Sequence, residues 1–323
     1  MIYKTINIII PYFGKFPNYF QLFLNSCGCN RTIDWTIITD NTESYMYPSN
    51  VKKVHMSFED VQQLIRSKFD FELAINSVHK LCEFKPAYGF IFDDFVKGYD
   101  FWGYGDLDLI YGDIRSFLSE KILSYDKIFT LGHFSLIKNT YEINRLFMKP
   151  LEETKLYRIA FSSDDNYNFD EEFNGKPNIN TIFRKYGYSV WSKSFAADIY
   201  TKSNYFILDF GDGKIEEKRK NFFALNESKL YRFFDNKGYV YKKEYLYIHL
   251  QKRNMCIKGE FNYNIYKIIP NSFERLEVEW DSIKDEFDNI KKQRINNQYL
   301  RIRCRNLKIK IKKCIKKYKI NNV

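Results

Sequence analysis

The sequence predicts an α/β protein built on a doubly wound sheet. Two observations carry that expectation. Over the first 110 residues short apolar strands alternate with amphipathic helices, and the polar residues with chemistry fall at the strand ends. Ile6–Ile10 is a continuous apolar run, the mark of a strand buried on both faces, and the Pro11–Pro17 loop ends it. Asn18 is placed to cap a helix through about Cys27, with Phe20, Phe23 and Leu24 on one face. Trp35–Thr39 reads as the second strand and stops at Asp40. Val51–Met56 reads as the third, and Phe58–Phe69 as a helix carrying Val61, Leu64 and Ile65. Lys80–Val96 reads as mostly helical despite Pro86 and Gly89. It leads into an aromatic strand, Tyr99–Gly112, that holds Asp106 and Asp108.

That pair is the most informative feature of the chain. Carboxylates two apart on an extended strand point to one side of it. Unpaired, they are costly inside an apolar core. Mg²⁺ or Mn²⁺ supplies a reason for them, because such an ion takes one or two protein carboxylates and fills its other positions with substrate phosphate oxygens. The Pro11–Pro17 loop, Asp40 and Asp106/Asp108 share one rim of the predicted sheet, where ligands of such sheets bind.

Downstream, Lys127–Ile137 reads as one further strand and Asn144–Met148 as part of a helix. Ser162–Gly175 is an acidic loop, followed by a helix from about Asn178 to Tyr186 and a strand near Tyr188–Trp191. Residues 201–228 read as irregular. Lys229–Phe234 and Tyr239–His249 form a hairpin around Asp235–Gly238. The expected organisation is a catalytic domain over 1–270, divided near 115, and a basic helical tail over 271–323.

The formal net charge of +11 is concentrated at the end. Residues 291–323 hold 13 Lys/Arg and no acid, so the rest has 38 basic against 40 acidic residues. A near-neutral body argues against a nucleic-acid-binding core. From Leu300, the residues Leu300, Cys304, Leu307, Ile311, Cys314, Ile315 and Tyr318 share one helix face. Basic residues flank them, and Ile302, Ile309 and Ile320 intrude on the reverse side. Such a helix suits an anionic membrane surface, packs on the body or a second subunit, or contacts nucleic acid. In each case the tail is expected to leave the active site untouched. Six cysteines without zinc-type spacing, no signal-peptide pattern and no long apolar run point to the cytoplasm, with any membrane contact peripheral.

With this carboxylate pair and N-terminal strand–loop, the chain resembles the GT-A glycosyltransferases. More narrowly it resembles a bacterial family found among capsule, lipopolysaccharide and other surface-glycan genes. The matching stretches are Ile9–Phe20, Asp34–Asp40, Lys80–Ile114 with its Lys-Pro-Ala-Tyr-Gly and Tyr-Gly-Asp-Leu-Asp segments, Leu131–Leu136 and Tyr247–Arg253. The resemblance implies a GT-A-like doubly wound mixed sheet flanked by helices. It implies transfer of a hexose, galactose-type favoured, from a UDP-sugar to a glycan or lipid-linked oligosaccharide acceptor at the inner face of the plasma membrane. Asp106, Asp108 and His249 would hold Mn²⁺ or Mg²⁺. Pro11, Tyr12, Phe13, Asp40, Lys85, Asp106, Lys252 and Arg253 would contact the donor. Asp170 and Glu171 match an Asp-Glu pair that would remove the acceptor proton in an inverting reaction, with His133 as an alternative. Two other readings compete: a sugar-phosphate nucleotidyltransferase, for which Pro11–Pro17 is poor in glycine and basic residues, and a non-enzymatic membrane or RNA scaffold.

Overall fold

The computed structural model describes residues 3–211, 213–257, 265–276, 283–290, 292–294, 296–297, 300–308 and 310–311. Its first eight strands are β1 (Ile6–Pro11), β2 (Asp34–Thr39), β3 (Val51–His55), β4 (Phe101–Gly105), β5 (Leu109–Tyr111), β6 (Lys127–Leu131), β7 (Phe134–Lys138) and β8 (Val190–Trp191). Seven of them form a mixed sheet in the order β3-β2-β1-β4-β7-β6-β8. β1 to β4 pair in parallel, and β7 runs antiparallel to both β4 and β6. One face packs on the helix Phe20–Cys29 through Phe20, Phe23 and Leu24. The other packs on the helix Phe58–Ser67 and the short helical turns between 81 and 96. This is the expected doubly wound mixed sheet flanked by helices.

Ten further strands follow: β9 (Ala196–Ile199), β10 (Phe206–Asp209), β11 (Lys214–Glu217), β12 (Asn221–Asn226), β13 (Lys229–Asn236), β14 (Tyr239–Tyr245), β15 (Tyr247–His249), β16 (Cys256–Ile257), β17 (Ile265–Ile269) and β18 (Ser272–Arg275). A second sheet has the order β11-β10-β9-β15-β5, and a third the order β14-β13-β12-β17-β18-β16.

Several expectations are corrected. Residues 127–137 are two antiparallel strands, because the chain reverses at Gly132-His133. Residues 201–228 hold three strands, whose charged residues are paired: Glu217, buried, accepts from Arg219 (2.7 Å) and Arg232 (2.6 Å). Tyr239–His249 divides at Leu246 between two sheets. The boundary at 270 falls inside the β17–β18 hairpin, and the helix Ile283–Asn289 buries Ile283 and Phe287 against Phe222 and Phe233. Asn18 caps no helix. Its amide donates to the Met255 carbonyl (2.7 Å), pinning the first loop to the C-terminal half.

Candidate active site

Asp106 follows Gly105 at the end of β4, where its N–H donates to the His133 carbonyl (3.1 Å). The chain turns through buried Leu107, and Asp108 leads into β5 of the second sheet. The two carboxylates thus meet across a crossover between sheets, not as alternate residues of one extended strand.

His249 ends β15, which lies between β5 and β9. The register places it opposite Leu109 on one side and Asp198 on the other. Its Nδ1 lies 2.8 Å from Asp198 Oδ1 and its Nε2 3.2 Å from Asp108 Oδ2. Burial opposes a charge on His249, but Asp108 and Asp198 outweigh it and lift its pKa to about 10. Burial alone would raise Asp108. His249 and Lys252 override that and hold it well below the usual carboxylate range. Gln251 and Lys252 both have positive φ, 57° and 53°, a conformation uncommon outside glycine. This turn brings the Lys252 N–H within 2.5 Å of Asp108 Oδ2.

Asp106, Asp108 and His249 each offer one ligand atom, all within 4.8 Å of one another. Two carboxylates and an imidazole suit a divalent cation such as Mn²⁺. Asp198 supplies the outer hydrogen bond that orients a ligating imidazole. The donor set therefore fits the metal that the sequence implied.

A second cluster lies beside the first. Lys85 Nζ donates to Asp106 Oδ1 and to the Gly132 carbonyl, both at 2.7 Å, and lies 3.8 Å from Asp170 Oδ2. Burial and the neighbouring Glu171, Glu83 and Asp106 outweigh Lys85 and push Asp170 up to about 7. Residue 132 must be glycine for this approach: a Cβ there would meet Asp170 Oδ2 at 2.6 Å. Asp170 is held from behind by Glu83, a buried carboxylate two residues before Lys85. Glu83 accepts from the N–H groups of Tyr167 (2.7 Å), Asn168 (3.0 Å) and Phe169 (3.0 Å).

A cavity of about 650 Å³ opens onto Asp106 and Asp108. Pro11, Tyr12, Phe13, Lys85, Lys252 and Arg253 also line it, so most of the residues expected to contact the donor are brought together. The Tyr12 ring stacks on Phe16, centroids 5.5 Å apart. Four expected site residues are placed otherwise. Asp40 is exposed and accepts from the Gly14 N–H (2.8 Å), so it ties the loop. The Arg253 guanidinium is buried and donates to Asn204, Asn271 and the carbonyls of Tyr200 and Ser203. Both Nη groups are thereby committed to protein oxygens, which makes Arg253 a structural pin; only its buried Nε–H has no partner. Asp170 and half-buried Glu171 sit behind Lys85 rather than on the cavity wall. His133 is buried and stacks on His249 with centroids 4.4 Å apart. Burial and His249 push it down to about 3, which leaves it neutral.

The tail departs most from expectation. A helix over 300–308 lies against the cavity, which Arg301, Ile302 and Arg305 line. Ile302, assigned to the reverse side, is the buried residue, while Leu300, Leu307 and Ile311 are 64%, 59% and 49% exposed. Cys314, Ile315, Tyr318, Ile309 and Ile320 lie outside the described residues.

Residues 8–277 match the model of DUF6625, a family of unknown function, and the chain belongs to that family. No curated protein sequence matches it. Among solved structures it is similar to a galactosyltransferase, LgtC, in complex with donor and acceptor sugar analogs. That match has 9% identity and a TM-score of 0.33, over 59% of this chain and 75% of the other. It is also similar to mouse xyloside xylosyltransferase 1 in its apo form, at 9% identity and a TM-score of 0.37, over 61% and 88%.

Proposed function

We propose that this protein is a metal-dependent glycosyltransferase that moves a hexose, galactose-type favoured, from a UDP-sugar to a growing surface-polysaccharide acceptor carried on a lipid. The observation that carries this reading is the convergence of Asp106, at the end of β4 of the doubly wound sheet, with Asp108 and His249 of the second sheet, the two carboxylates lining a cavity of nucleotide size. A divalent cation held by these three residues would supply Lewis-acid neutralisation of the departing diphosphate. The chain's own residues do the rest. Tyr12 offers a ring face and Pro11–Phe13 a wall for the nucleoside, while Lys252 offers an ammonium to the phosphates. Lys85 fixes Asp106 and links it to the Gly132 turn. Asp170, tuned near neutral pH, and Glu171 beside it stand off the donor cavity behind Lys85, and in an inverting transfer they take the proton of an attacking hydroxyl that approaches from outside that cavity.

The exposed face of the C-terminal helix, Leu300, Leu307 and Ile311 among lysines and arginines, supports attachment to an anionic leaflet at the inner face of the plasma membrane. No helix among the described residues is long and apolar enough to cross a membrane.

Thermal unfolding with Mn²⁺ plus UDP, with Mn²⁺ plus a nucleoside triphosphate, and with neither tests the reading. A ligand that binds only the native state raises stability by RT ln(1 + [L]/Kd). UDP with Mn²⁺ should raise the midpoint most, and a donor screen following UDP release then identifies the sugar. A larger shift with the triphosphate would favour a nucleotidyltransferase instead.

A further inference from the structure

The cavity carries more positive charge than its known parts use. Two of its lining cations are spent: Lys85 on Asp106, and Arg253 on carbonyl and amide oxygens. Among the described residues Lys15, Lys252, Arg301 and Arg305 form no ion pair, and all four line the same cavity. Arg301 and Arg305 stand one turn apart on one helix face, with Ile302 turned inward beside them. Guanidinium groups present planar, paired donors that match phosphate oxygens better than an ammonium does.

We infer that the helix over 300–308 is a wall of the ligand site, and that Arg301 and Arg305 grip the phosphate groups of the bound anion. This rests on the glycosyltransferase reading only for naming that anion as the diphosphate of a nucleotide sugar. The tail is then not a detachable anchor. Its inner face binds ligand, while its outer face, with Leu300, Leu307 and Ile311, stays open to a lipid surface. Removing residues 291–323 removes a wall of the site with the membrane face.

The test is isothermal titration of the full chain. The double variant Arg301→Ala/Arg305→Ala is compared with Lys292→Ala/Lys310→Ala, which loses the same charge from exposed positions outside the cavity. Each is titrated with UDP plus Mn²⁺, with uridine, and with inorganic pyrophosphate alone. The arginine variant should bind UDP weaker by on the order of tenfold per guanidinium, with uridine unchanged, and the lysine variant should match the wild type. If the wild type binds UDP and the arginine variant binds it equally well, the inference is overturned and the glycosyltransferase reading stands. If the wild type ignores UDP, that reading fails, and pyrophosphate decides the inference. Loss of pyrophosphate binding in the arginine variant alone upholds it. Equal binding in all three proteins, or none, overturns it.

Discussion

Asp108 and Asp170 are buried carboxylates of one site, yet their surroundings act on them in opposite directions. Asp108 receives the Lys252 N–H and faces the His249 ring, which Asp198 holds in place, so its charge is favoured despite burial. Asp170 has Lys85 at 3.8 Å, already bonded to Asp106, and three carboxylates around it. Burial is common to both. The number of donors aimed at the charge decides the outcome. One carboxylate is kept ionised, the state that the proposed cation role needs, and the other has its titration raised to about 7, the state that the proposed base role needs. Such divergence between neighbours is how acid–base roles are divided within a site.

The largest effect should come from the first of the pair. Asp108→Ala, and Asp108→Asn as the milder change, should lower transfer on the order of 10³-fold or more, since the residue is asked for several kcal/mol of charge stabilisation. Circular dichroism should show a folded protein in at least the Asn variant. Excess EDTA should abolish turnover of the wild type, and full activity in EDTA would reject the metal role. Asp170→Asn or Glu171→Gln should cut turnover by ~10²–10⁴ while UDP binding persists. Near-normal rates in both variants would make the pair part of the scaffold, and the comparison would then be one of stability alone.

A smaller effect separates the ligand from its support. Asp198→Asn leaves all three candidate metal ligands in place and weakens the hydrogen bond that orients His249. Mn²⁺ affinity measured by titration should fall ~10–100-fold. The KM for acceptor should stay unchanged, a split that general loss of structure would not produce.

The two carboxylate clusters were unequally legible in the sequence, and so were the regions around them. β1, β2 and β4 announced themselves because strands buried on both faces are apolar runs between turn residues. β10 and β11 did not, because their charges are neutralised by cross-strand partners that spacing cannot reveal. Asp106 and Asp108 were visible as carboxylates ending an apolar strand. The crossover that joins them was not, since a three-residue turn between sheets leaves no periodic mark. Asp198 carries the same signal, a carboxylate within Phe195-Ala-Ala-Asp-Ile199, and applying the buried-charge argument there would have found it. Its partner, His249, is fixed only by parallel register between β9 and β15. Glu83 gave no comparable sign, because its partners are backbone N–H groups more than 80 residues away. In the tail, periodicity found an apolar stripe but could not tell which face the body covers, so Ile302 was misplaced.

The smallest expected effect concerns the stability of Asp170 itself. Its pKa is pushed from an ordinary 3.8 up to about 7 in the folded chain. Below pH 4 both folded and unfolded states carry the proton, and the residue is neutral to stability. As pH rises above 4 the unfolded chain ionises freely while the folded one resists, so stability falls, and the loss is complete once pH exceeds about 7. Asp170→Asn keeps the shape and removes the titration. In EDTA, where no cation alters the field through Asp106, the melting temperature of the variant relative to wild type should climb between pH 5 and pH 8 by ~a few degrees and then level off. A difference that stays flat across that range would mean that Asp170 ionises normally. The opposition between the two aspartates would then vanish, and with it the argument that Asp170 is tuned to take a proton.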